Sequence, residues 1–222
     1  MSKNLSALPR LMPELGDARV PTKTAVGLRS SWWLLPALTW TLLYAWRPLR
    51  FGFYHDDWSL LLGCDGSILA EIHCTDPSRP GGPIIRWVFH SLVGMNPAAW
   101  QTITIMSAFA ASATLMLLLQ SMLRAGGLHT WQAAWAAAIA SSFYLAFPWM
   151  LGAAWVSGTS QYAATILFNL SMLVWFAGWP LAARLIASIA FFACASLIYE
   201  AYWFVFLPWA GLLLLSGCLP RK

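Results

Sequence analysis

The amino-acid sequence predicts an all-α fold: a polytopic membrane helix bundle of about six transmembrane helices, with short interfacial helices in its first outer loop. Three observations predict it. Of the 222 residues, 59% are hydrophobic and only 9% charged, with a mean hydropathy of +0.63, which is more apolar surface than a soluble domain of this length can bury. The charges cluster in the first 29 positions, in residues 47–90 and at the extreme C-terminus, and the runs between them are long enough to cross a hydrocarbon core about 30 Å thick. The basic residues are also distributed unevenly about those runs. With the N-terminus inside, Lys3, Arg10, Arg19, Lys23, Arg29, Arg124, Arg184, Arg221 and Lys222 fall on the cytoplasmic side, against Arg47, Arg50, Arg79 and Arg86 outside. The formal charge of +5 is thus placed as membrane orientation requires. With no basic stripe and no nucleic-acid motif, a nucleic-acid partner is excluded.

Taken in order, residues 1–30 carry Pro9, Pro13 and Pro21 and no periodic apolar face, and read as a flexible cytoplasmic tail. Residues 31–222 form the transmembrane domain. Its first apolar run, 31–46, lacks a small-residue cleavage site and leads into the bulky YAWRPLRF, so it reads as a retained helix rather than a signal peptide. Further spans follow at about 98–123, 131–149, 161–179, 181–198 and 201–217, separated by polar or Pro/Gly-bearing breaks. As one helix, the apolar sequence from Leu185 to Leu219 would run about 50 Å, so it must fold back. A hairpin turning near Tyr199, Glu200 and Ala201 returns the chain to the side of Arg184 and places Glu200 at the outer face. Ser107 with Ala111 and Ala108 with Ser112 give the second span a small-residue packing face, and the third is alanine-rich. Asn169 and Gln101 are expected to hydrogen-bond neighbouring helices.

Residues 47–97, the outer loop, hold most of the candidate chemistry. They open with FGFYHDDWSLLL, in which Asp56, Asp57 and His55 sit between aromatic residues close to the membrane exit. Adjacent side chains do not share a helical face, so the two carboxylates have different environments. Asp57 is placed to cap a short interfacial helix, leaving Asp56 freer for chemistry; the alternative is a cap and a solvated loop charge. Further on, RPGGPIIRWVFHSLVGMNP reads as a rigid Pro/Gly turn and then an amphipathic interfacial helix from about Ile84 to Val93. Ile85, Val88, Phe89 and Leu92 form its apolar face, with Arg86 and His90 on the opposite one. Together with Arg79 they make a candidate anion site at headgroup depth, for a lipid phosphate or for anionic headgroups in general. The histidines and cysteines have no metal-site spacing, and the sequence requires no cofactor. Oxygen ligands from Asp56, Asp57 and Glu200, with His55 beside them, would suit a divalent cation such as magnesium or manganese. Cys64 and Cys74 share the outer loop and are a disulfide candidate in an oxidising compartment, whereas Cys194 and Cys218, in or beside spans, are expected to stay reduced.

The HDDW segment after the first helix, the RPGGP to MNP segment and the Tyr199-Glu200 pair resemble the C-fold (GT-C) integral-membrane glycosyltransferases. That resemblance covers residues 31–217 in topology. It implies a polyprenyl-phosphate-linked sugar donor, a glycan, lipid or protein acceptor, and membrane lipid as the surroundings. It also implies Asp56 or Asp57 as the catalytic carboxylate, and Arg79 and Arg86 as phosphate-binding residues. Transfer to an acceptor hydroxyl would then occur on the non-cytoplasmic side with inversion, a bacterial inner membrane with a periplasmic loop being the expected setting. Members usually have more helices, so the chain is a minimal member, a fragment or half of a complex with a membrane-protein partner. The competing class is a non-catalytic polytopic subunit, or a lipid or sugar transporter, of envelope glycan assembly. A transporter would more typically hold its charges at mid-membrane, in broken helices.

Overall fold

A computed structural model of the protein describes residues 31–45, 67–69, 72, 79–147 and 156–199. Among the described residues all regular structure is helical, in six α-helices: α1 (Leu34–Tyr44), α2 (Gly81–Val93), α3 (Pro97–Ala125), α4 (Thr130–Ala146), α5 (Val156–Leu173) and α6 (Leu181–Ile198). Short 3-10 turns, Ser31–Trp33 and Val174–Phe176, precede α1 and follow α5.

Local chemistry sets several of these boundaries. Asn96 caps α3, accepting a hydrogen bond from the Ala99 amide at 3.2 Å, and Pro97 fills the first helical position, where no amide is needed. Gly94 ends α2 with φ of +56°, a conformation that L side chains rarely adopt. Gly126 and Gly127, the latter at φ +90°, stop α3 and turn the chain toward α4.

Side-chain contacts fix the directions of the long helices. Tyr44 packs with Ile105, Leu145 and Tyr162 and donates its hydroxyl to the Leu145 carbonyl, while Trp32 and Trp33 pack near Met116, Ala137 and Ala138. Helix α1 therefore runs with α4 and against α3. The Ser112 hydroxyl donates to the Ser141 carbonyl at 3.1 Å, joining α3 to α4. Thr104 and Thr159 hydroxyls meet at 2.7 Å, and the Asn169 amide donates to the Ala111 carbonyl and the Thr114 hydroxyl at 3.3 and 3.0 Å, so α5 runs parallel to α3. Phe168 and Met172 pack with Phe192 and Ala195, and the Trp175 indole donates to Ser188, which sets α6 antiparallel to α5. The five long helices thus alternate. One end of the bundle gathers the C-termini of α1, α4 and α6 with the N-termini of α3 and α5.

The expected small-residue face is present: Ala108, Ala111 and Ser112 of α3 and Ala133, Ala134, Ala137 and Ala138 of α4 are fully buried. Polar side chains lie inside as well, Thr104, Ser141, Thr159, Asn169 and Ser188 among them, whereas Leu34, Leu38 and Leu42 of α1, Trp131 and Phe143 of α4, and Ile186 and Ile189 of α6 are exposed.

Two helices, α3 and α6, are long and apolar enough to cross a membrane, by length and composition. This is compatible with an integral membrane protein. It is a coarser result than six spans: α1 has 11 residues, about 16 Å of helix, and α4 has 17, about 26 Å. The span expected at 161–179 is displaced, because α5 starts at Val156 and gives way to the 3-10 turn after Leu173. Residues 181–198 are helical as expected, and α6 stops before Tyr199; the span at 201–217 lies outside the described residues.

Candidate functional site: an arginine-bearing cross-piece

Helix α2 joins the ends of three long helices. At its start, a Cβ built on Gly81 would stand 2.6 Å from Cγ1 of Ile198 and 3.1 Å from that residue's backbone nitrogen, so only glycine allows α2 to approach the last turn of α6 this closely. One residue on, Gly82 faces α5. At its C-terminal end Phe89 meets the Trp100 ring edge-on, with centroids 6.3 Å apart, and the Trp100 indole donates to the Gly94 carbonyl at 2.8 Å. Trp100 is itself fully buried at the start of α3.

The sequence reading of this segment needs one correction. RPGGP is not a rigid turn ahead of the helix; α2 begins at Gly81 and contains Gly82 and Pro83 in its first turn, where proline is tolerated because the early amides have no partner within the helix. The faces are as read, with Arg86 on the side opposite Val88 and Leu92. Arg86 is only 7% exposed, and Gly82 and Pro83 are buried on the same side, whereas Val88 and Leu92 of the expected apolar face are 41% and 73% exposed. Periodicity identifies which residues share a face, but not which face meets protein. Here the charged edge meets protein.

Arg79 and Arg86 flank the start of α2. The Arg79 guanidinium lies over the Tyr199 ring at 5.0 Å from its centroid, a cation–π contact. Tyr199 directly follows α6, whose C-terminal carbonyls favour a cation nearby. Arg86 reaches toward α5, its Nη1 being 3.6 Å from the Cβ position of Gly82, with Ser160 Oγ 3.7 Å from the same point. His90 is half-buried near the other end of α2, and its carbonyl accepts the Gly94 amide at 2.8 Å. His90 is therefore one helical turn beyond Arg86.

All eight acidic residues of the chain lie outside the described residues, as do His55, Cys64 and Cys74. This covers Asp56, Asp57 and Glu200. Among the described residues no group of three His, Cys, Asp or Glu could hold a metal ion. Cys194 is a free, exposed thiol on α6. The pairing of Cys64 with Cys74 and the acidic ligand set remain sequence expectations.

Ser160, Tyr199, Gly81 and Gly82 emerge as site residues that sequence reasoning did not assign. The signal was present in part, since a Gly-Thr-Ser run at the start of an apolar helix supplies hydroxyls that must find partners once buried. Arg86 lies beside the N-terminal turns of α2 and α5 and a buried hydroxyl, an arrangement suited to negative charge, while Arg79 lies apart over Tyr199 at the C-terminus of α6. Comparison with known proteins finds no matching family model, no matching curated protein and no matching solved structure.

Proposed function

We propose that the protein is an inverting membrane glycosyltransferase that moves a sugar from a polyprenyl-phosphate donor to an acceptor hydroxyl on the non-cytoplasmic side of the membrane. The observation that carries this reading is the burial of Arg86 by α2, at the end of a bundle with apolar side chains outside and polar ones inside. Arg86 has contacts within the protein, and its five-donor guanidinium can hold a lipid-linked phosphate at headgroup depth beside them. The same end is where α1 ends and α3 begins, so the connecting residues 47–97, with Asp56 and Asp57, start and finish there. In this reading α1, α3, α4, α5, α6 and residues 201–217 are the six spans. The α2 end faces outward, and Arg124 and Arg184 lie at the cytoplasmic end. A bacterial inner membrane fits this orientation.

The chemistry needs little from the protein. One carboxylate, with Asp56 favoured over Asp57, accepts the proton of the acceptor hydroxyl as that oxygen attacks the anomeric carbon, a contribution of about 10²- to 10⁴-fold in rate. The anomeric carbon–oxygen bond to the phosphate breaks, and the polyprenyl phosphate leaves with its charge stabilised by Arg79 and Arg86. A magnesium or manganese ion on the acidic residues would serve the same end.

The test is transfer from a polyprenyl-phosphate sugar in reconstituted membranes by Asp56→Asn and Asp57→Asn variants matched for expression. Loss of about two or more orders of magnitude in one of them is expected. Transfer near the wild-type rate by both would remove the catalytic reading and leave a non-catalytic membrane subunit.

A further inference from the structure

The first turn of α2 meets the second turn of α5 at Gly82 and Ser160, two residues the mechanism above does not use, beside Arg86, which it does. The nearest atoms to the missing Cβ of Gly82, apart from its own helix backbone and chain neighbours, are Nη1 of Arg86 at 3.6 Å, Oγ of Ser160 at 3.7 Å and Cβ of Ser160 at 3.9 Å. Both Arg86 and Ser160 are 7% exposed, and Ser160 Oγ is buried with no hydrogen-bond partner among the described residues. A buried hydroxyl without a partner costs about 1–3 kcal/mol in a folded protein, so its retention needs a reason. Ser160 lies in the second turn of α5, one residue after Thr159, whose hydroxyl is satisfied by Thr104. Its neighbours at Gly82 are a guanidinium and the N-terminal turns of two helices of 13 and 18 residues, all positive.

We propose that this junction is an oxyanion receptor, in which one phosphate oxygen enters over Gly82, accepts the Ser160 hydroxyl hydrogen and bonds to the Arg86 guanidinium. Arg86 carries five donors in a fixed fork, so an oxyanion and other contacts can be held together. Gly82 puts no Cβ between Arg86 and Ser160, and Ser160 is a binding residue for phosphate. The chemistry recognised is a phosphate monoester or diester, borne by a lipid or free in solution. The inference rests on the phosphate-binding role proposed for this end of the bundle, but not on the carboxylate chemistry.

Gly82 provides a discriminating variant. An added methyl there would sit at ordinary contact distances of 3.6–3.9 Å, and alanine is the better helix former, so Gly82→Ala should fold at least as well as wild type. It would nevertheless project into the space over Gly82 through which the oxygen must approach. The full-length protein in nanodiscs is titrated with a polyprenyl monophosphate, with the corresponding polyprenol and with inorganic phosphate, and thermal melting is followed alongside. Gly82→Ala and Ser160→Ala are each expected to weaken polyprenyl monophosphate binding about tenfold or more with melting temperatures maintained. Displacement by inorganic phosphate at similar concentration identifies free phosphate as a ligand, and its failure to displace identifies the lipid-borne group; both support the receptor. Equal affinity for polyprenol and polyprenyl monophosphate, or wild-type binding by both variants, overturns it. Failure of the Asp56 and Asp57 tests with this binding intact would refute catalysis and leave the receptor standing.

Discussion

The two ends of the bundle treat their cations differently. At the α2 end Arg86 is buried and Arg79 is stacked on Tyr199. At the opposite end Arg124 is exposed in the last turn of α3, and Arg184 is half-buried, donating to the Trp175 carbonyl at 3.2 Å. Arg124 sits where a helix C-terminus favours a cation and water or headgroups can solvate it, and Arg184 ties the first turn of α6 to the turn after α5. Arg86 instead lies buried beside the N-terminal turns of α2 and α5, whose positive ends also favour an anion. The two ends thus differ in how far they enclose their arginines, not in how many they hold.

The largest difference expected between the ends in stability concerns their glycines. Gly81→Ala would drive a methyl into Ile198 at 2.6 Å and should lower stability by about 1–3 kcal/mol, more than the helix-propensity gain of about 1 kcal/mol can offset. Gly126→Ala, whose nearest carbonyl oxygens would be 3.4 and 3.5 Å away, should be close to neutral. Thermal unfolding in detergent separates them. Equal melting temperatures for the two variants would mean that α2 does not lean on α6 as described. A smaller effect should be shared by both ends. Thr104→Val removes the hydrogen bond to Thr159, and Ser188→Ala removes the one from Trp175. Each should cost about 0.6 kcal/mol, within the range of helix–helix hydrogen bonds in membranes. A large asymmetry between these neutral bonds would show that the ends differ in packing as well as in charge.

How much of this was legible beforehand depends on what each residue had to signal. The bounds of α6 and, to within two residues, of α3 were readable because apolar length and flanking breaks are properties of the chain alone. Asn169 was readable as interhelical glue for the same reason. The start of α5 was missed because Gly158, Thr159 and Ser160 look like a break, yet all three are buried, with Thr159 hydrogen-bonded to Thr104 of α3 and Ser160 set against Gly82 of α2. The two faces of α2 were readable from periodicity, but which of them meets protein was not, because a helical face has no intrinsic sign; the edge with Arg86 turns inward. Asp56, Asp57, His55 and Glu200 were legible as a candidate acidic group and lie outside the described residues. Their role rests on residue chemistry and on the end of the bundle at which their loop begins and ends.

The central claim, that the α2 end recognises the donor phosphate and the opposite end does not, meets its most direct test in a pair of substitutions. Transfer from a polyprenyl-phosphate sugar is measured in reconstituted membranes for Arg86→Gln and Arg124→Gln, with equal insertion verified. The account predicts that Arg86→Gln loses about 10²-fold or more in kcat/KM, the cost of removing a charge-assisted contact to the leaving group, while Arg124→Gln stays within about twofold of wild type. Equal activity in the two variants would contradict it.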